Sequence, residues 1–170
     1  MRGRAVTADP RTVVAPPEAH LARLAAERAA LALGRWRDED AWTLGSWLWR
    51  AAEERRLAVV VDIRRGDRQL FHAARPGTWA DHDAWAARKI RTVQRFDAPS
   101  RLVALRLERA GQSLAHYGLD PADYALAGGA VPVDLAGCGQ VAVLAVSGLT
   151  QDEDHALAVE ALRHLRDDGR

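Results

Sequence analysis

One cysteine, Cys138, stands in 170 residues, so no intramolecular disulfide can form, and the composition suits a reducing cytoplasm. Charge of one sign is missing too. Against 24 basic residues stand 23 acidic ones, a net charge of +1, which leaves no electrostatic footprint for a nucleic-acid partner. No apolar run approaches the ~20 residues that a membrane span requires. The opening MRGRAVTADPRTVVAPP lacks the continuous apolar stretch of a secretory signal. No GxGxxG, P-loop, HxxxH or HExxH spacing occurs, which removes the usual sequence support for a dinucleotide, nucleotide or zinc site. Nor does a catalytic constellation with a diagnostic spacing appear, so whether the chain is an enzyme is open at this stage.

What is present describes a folded α+β protein. Hydrophobic residues make up 48% and charged residues 28%, a globular balance with enough length for one sizeable core. Residues 1–16 read as a flexible, proline-punctuated arm and 17–170 as a single domain. A helix follows Pro17, and Leu31 to Trp36 reads either as its frayed end or as a short strand. The acidic run Asp38-Glu39-Asp40 opens a second helix to about Arg56, because carboxylates favour the positive helix end. Leu57 to Ile63 is a strand-length apolar run, expected to be covered on both faces. Gly66-Asp67 fits a type II′ hairpin turn, which sets Ile63 opposite Leu70, Asp62 opposite Phe71 and Val61 opposite His72. Helices are expected at about Asp81 to Asp97 and Ser100 to Tyr117, with Ser100 as N-cap of the latter. Asp120-Pro121 starts a tight turn. The strand QVAVLAVS runs into a capping box formed by Thr150 and Glu153, and Leu157, Ala158, Ala161, Leu162 and Leu165 form the buried stripe of the last helix. Hairpins and helices in this order predict an antiparallel sheet with helices on its faces.

Several side chains sit where chemistry is needed to explain them. On the Asp81 helix, Trp85, Ile90, Val93 and Phe96 define the buried arc, and His82 and Lys89 fall inside it. Arg88 and Arg95 form a separate ridge. A charge facing a core is costly unless paired. Either this face borders a pocket where Lys89, Arg88 and Arg95 meet ligand carboxylates, or Lys89 pairs with Asp62 or snorkels to the edge. His72, placed beside Val61 on the apolar face, is either hydrogen-bonded in the core or an iron ligand. The second role needs an open approach and a group orienting its other ring nitrogen. Of the remaining histidines, His20 and His164 read as solvated, His116 as the end of a helix, and His155 as the edge of the last helix's stripe. Gly128-Gly129 and Gly137-Cys138-Gly139 read as turns, and Cys138 has no histidine partner nearby in sequence. Asp152, Glu153 and Asp154 occupy the start of the last helix, so it reads as capped rather than as an anion site. Trp79 and Trp85 flank the PGT segment and could line a pocket. Trp42 and Trp49 lie opposite the core stripe Leu44, Trp47, Leu48 and Ala51. They therefore need a covering surface, either a second subunit or the Glu18 to Leu33 helix.

Together, GGAVPV, GQVAVLAVSGLTQDEDHALAVEAL and the ordered set DIR, QLFH, PGT, RK and RF resemble the heme-degrading-domain family, also called HbpS-like or GlcG-like, over about Leu31 to Leu165. The resemblance implies a profilin-like sandwich, a homo-oligomer, and heme as the cofactor, with oxidative ring opening as the reaction that the family name claims. His72 or His82 would then ligate the iron, and Arg88, Lys89 and Arg95 would meet the propionates. The chain departs from that pattern twice. His82 stands where relatives tend to carry Asn, and Ala127 stands where relatives often place His before the glycine pair.

Overall fold

The two most continuous apolar runs come to lie side by side. The structure, a computed structural model, describes residues 17–168; the arm assigned to 1–16 lies outside them. Its four strands are β1 (Val60–Arg65), β2 (Arg68–Ala74), β3 (Ala130–Leu135) and β4 (Gly139–Ser147). They form one antiparallel sheet in the order β2-β1-β4-β3, so β1 and β4 take the centre. Both central strands are buried on both faces, which is why they read as unbroken apolar runs.

Helices α1 (Pro17–Ala30), α2 (Asp38–Glu54), α3 (Ala80–Phe96), α4 (Ser100–Arg109) and α5 (Gln151–Asp168) cover the sheet. Val61, Ile63, Val133, Leu144 and Val146 point to one face, where they pack with Leu44 and Leu48 of α2 and Leu157, Ala158 and Leu162 of α5. On the other face Val60, Ala130, Val143 and Ala145 meet Ala86, Ile90 and Val93 of α3. Leu24 of α1 packs on Leu102, Val103 and Leu107 of α4. The stripe expected on α5 is buried, with Leu165 half-buried at its end. The Thr150–Glu153 capping box is formed, the Thr150 N–H donating to Glu153 at 3.0 Å.

The first hairpin differs from the register expected of it. Gly66 has a φ of 58°, as the first central residue of a type II′ turn does, and Arg65 opposes Arg68. A bulge then follows between Ile63 and Arg64, so that Ile63 opposes Phe71 and Asp62 opposes His72. The reason is packing. Leu70 and Phe71 both pack against the α2 layer, and only an inserted residue lets two neighbours share a face. The Phe71 ring fills the space over Gly45, where a Cβ would come within 2.4 Å of it. In consequence His72 leaves the apolar face and lies exposed beside α3.

Other differences have equally local causes. The helix expected to reach Tyr117 stops at Arg109, where Gly111 turns left-handed at a φ of 62°. A single 3-10 turn, Leu114–Tyr117, replaces its end and carries the exposed His116. Ser100 is not a cap: its buried hydroxyl donates to the Ala130 carbonyl at 3.2 Å and accepts from the Ala130 N–H at 3.1 Å. Helix α1 packs beside α4 and leaves Trp42 and Trp49 alone. Trp42 is 69% exposed and meets Phe71 edge-on at 5.8 Å, while Trp49 is half-buried beneath the Arg75 guanidinium at 4.4 Å. His164 is not fully solvated either, since its ring stacks on Trp47 at 5.0 Å.

His155 is buried and its Nε2 meets Glu27 at 2.9 Å. Burial pushes its pKa below the usual range, and Glu27 only partly opposes that. The unfolded chain therefore takes the proton first, so this contribution is intact above about pH 6.5 and is lost as pH falls toward the depressed folded value. Denaturation midpoints at neutral pH and about pH 5 should fall further in wild type than in His155→Gln. Equal losses would mean that His155 contributes nothing to acid sensitivity.

Candidate functional site

Helix α3 builds one wall of a cleft. At its start the Trp79 N–H donates to Nδ1 of His82 at 3.1 Å, and the two rings meet edge-on at 4.1 Å. One turn on, the Trp85 indole N–H donates to Asp81 at 3.2 Å, and the Arg88 guanidinium lies 4.1 Å over the Trp85 ring. A further turn brings Lys89 inward. Its Nζ donates to Asp154 Oδ2 at 2.8 Å and to the Val146 carbonyl at 3.1 Å, with both charged side chains under 5% exposed. Asp154 accepts the Leu149 N–H on its other oxygen at 3.0 Å. Loss of water pushes the Lys89 pKa down and the Asp154 pKa up, and each charge opposes that shift in its partner.

The second wall is the end of β4 with the start of α5. Glycine is required where the backbone closes over the pair. Gly129 has a φ of 123°, and a Cβ there would fall 2.4 Å from the Val146 oxygen and 2.7 Å from Lys89 Nζ. Gly128 is pressed against the Gln151 carbonyl. This glycine pair is thus a close approach around an ion pair as well as a bend. The resulting cleft encloses about 290 Å³ and is lined among others by His82, Trp85, Lys89, Ser147, Gln151 and Asp154.

The predicted site residues fall in four places. His82 and Lys89 share the cleft. His72 stands on the edge strand β2, its Nε2 2.6 Å from Asp83. Arg88 turns to a second groove on the other side of Trp85, and Arg95 is exposed. The expected buried arc of α3 is rotated, because Ala86, Lys89, Ile90, Thr92 and Val93 are its buried residues while Trp85 is 37% exposed at the rim. Asp62 is not the partner of Lys89, since Arg64 and Gln69 satisfy it. Asp154 is the residue the sequence reading passed over. The signal was its place three and four residues before Leu157 and Ala158, at the head of the apolar stripe.

A heme ligand must present a ring nitrogen with a free lone pair. His82 does not fit, because its Nδ1 accepts a backbone N–H, which puts the proton of the neutral ring on Nε2. His72 fits better. With Nε2–H donating to Asp83, its Nδ1 keeps the lone pair and the ring is oriented by a carboxylate. Among the described residues no three His, Cys, Asp or Glu side chains gather as a metal-binding cluster, and no helix is long and apolar enough to cross a membrane.

An antiparallel sheet layered by helices on both faces, with a cleft closed on a buried ion pair, defines an α+β sandwich. The chain belongs to the haem degrading protein HbpS-like family, whose sequence model matches residues 37–163. It is 46% identical over 152 residues to a UPF0303 protein of Streptomyces coelicolor, covering 89% of this chain and 96% of that one. Among solved structures it is similar to the Ybr137w protein, with a TM-score of 0.80 and 28% identity over 91% of this chain and 90% of the other. The PduOC:heme complex shares the fold at a TM-score of 0.64 and 16% identity, covering 75% and 93% of the two chains.

Proposed function

We propose that the chain is a cytoplasmic heme-binding protein in which His72 ligates the iron. One observation carries this reading: an exposed imidazole on an edge strand, held at 2.6 Å by Asp83, has the tautomer and orientation that metal-bound histidines show. The family's description supplies the ligand class. Bound heme would supply the oxygen chemistry that the family description implies; the chain's own part is to hold the ring, through His72 and Asp83. Hemin titration followed at the Soret band tests this reading. Asp83→Asn, which loosens the imidazole, should weaken binding by ~10-fold or more. Unchanged affinity in that variant would detach Asp83 from any such role.

His72 is exposed and lines neither groove beside α3, so a heme there needs cover from a second surface. The exposed Trp42 of α2 meets the half-buried Phe71 of that edge strand, and a second copy of the chain docked on β2 would cover both. We therefore extend the reading to a homo-oligomer with Trp42 and Trp49 in its interface. Trp42→Glu with Trp49→Glu should yield folded monomers in light-scattering chromatography, because burial worth ~2–3 kcal/mol per indole is lost. An unchanged oligomer would remove these residues from the interface.

A second reading concerns the cleft. At about 290 Å³ it lies at the lower limit of small-molecule sites. The Nε2–H of His82, with Gln151 across the cleft, suits a small carboxylate better than a tetrapyrrole. Thermal shifts with short-chain carboxylates, lost in His82→Ala, would favour it over heme.

A further inference from the structure

A separate cleft of about 230 Å³ opens between α1, α4 and α5. Its lining holds three guanidiniums, Arg23, Arg101 and Arg163, against two carboxylates, Glu27 and Asp152. Glu27 is fully engaged: it takes His155 at 2.9 Å, Arg163 at 3.0 Å and Arg23 at 3.8 Å. Arg101 is almost wholly inside, with 12% of its side chain exposed, while its partner Asp152 at 2.7 Å is 67% exposed. His20 completes the charged or titratable groups of the wall.

The informative atom is Nδ1 of His155. The side chain is 8% exposed, and Nδ1 is buried without a hydrogen-bond partner among the described residues. Glu27 accepts at Nε2, so that nitrogen carries the proton and Nδ1 presents a bare lone pair. A buried acceptor left unmet costs free energy and calls for a donor. The surrounding arginines call for acceptor oxygens and negative charge. A group meeting both demands is an oxyanion that keeps one proton.

We propose that this cleft binds inorganic phosphate as monohydrogen phosphate, whose remaining hydroxyl donates to His155 Nδ1 while its other oxygens accept from Arg23, Arg101 and Arg163. Sulfate has the same shape and charge as monohydrogen phosphate and lacks that proton, so the chemistry separates the two.

Calorimetric titration of the full chain near pH 7.5 with phosphate, sulfate and glycerol 2-phosphate at matched ionic strength tests the assignment. Saturable phosphate binding is expected, with sulfate weaker by ~10-fold or more, the size of one charge-assisted hydrogen bond. Arg101→Gln should reduce phosphate affinity by a similar ~10-fold. Arg163→Gln, on a more exposed side chain, gives the same reading if the first variant fails to fold. Glycerol 2-phosphate, whose ester oxygen replaces that hydroxyl and whose phosphate is mostly dianionic at this pH, should bind as weakly as sulfate; affinity equal to that of phosphate would overturn the hydroxyl contact. Absent saturation, equal affinity for sulfate, or phosphate binding unchanged in every folded variant would overturn the proposal.

Discussion

Lys89→Met is expected to lower the melting temperature by on the order of 10 °C, since a protein of this size loses ~2–4 °C per kcal/mol. The substitution keeps the stem of the side chain and removes only the ammonium, which leaves Asp154 2% exposed without its cation. Breaking a buried pair by removing one partner costs ~3–5 kcal/mol, far more than the pair itself contributes over a well-packed apolar replacement. Lys89→Met combined with Asp154→Leu should therefore recover much of the loss. Arg95→Ala, on an exposed position of the same helix, should stay within ~0.5 kcal/mol of wild type. Thermal melts of the four proteins decide the matter. A silent Lys89→Met would mean that the ammonium serves the cleft and not the fold.

Gly129→Ala should be the other severe change, costing ~3 kcal/mol or more. Two penalties coincide there. The φ of 123° is one that a side chain rarely adopts, and the new Cβ would sit 2.4 Å from the Val146 carbonyl and 2.9 Å from Cβ of Asp154. Neither neighbour can yield, because Val146 is in a central strand and Asp154 is held by Lys89. Gly137→Ala separates the two penalties. Its φ of 77° is also positive, but none of the described residues lies within 4 Å of the added carbon, so only ~1–2 kcal/mol of backbone strain is expected. Equal losses in the two variants, compared by urea denaturation, would remove the close approach from the explanation.

Elements whose signal is local were legible in the sequence. The capping box at Thr150 and Glu153, the stripe on α5, the type II′ turn at Gly66 and the two central strands each follow from a few neighbouring residues. What was not legible depends on two distant segments at once. The bulge in β2 arises because Leu70 and Phe71 both pack against the α2 layer, where Gly45 leaves room for the Phe71 ring, and nothing inside the hairpin announces Gly45. That single inserted residue moved His72 from the core face to the face beside Asp83. The Lys89–Asp154 pair was half visible, with each charge placed on an apolar stripe of its own helix. Two opposite charges that both break a buried stripe are candidates for each other, and 65 residues separate them. The glycine pair was seen as a turn because its second reason, room for an ion pair, belongs to α3 and α5.

In the proposed heme site His72, oriented by Asp83, ligates the iron, and His82 does not, since its Nδ1 accepts the Trp79 N–H. Hemin titration of wild type, His72→Ala and His82→Ala by Soret absorbance tests it most directly. A saturable Soret shift at about one heme per chain is expected, weakened strongly in His72→Ala and retained in His82→Ala. Identical titrations of wild type and His72→Ala, or a loss confined to His82→Ala, would contradict it.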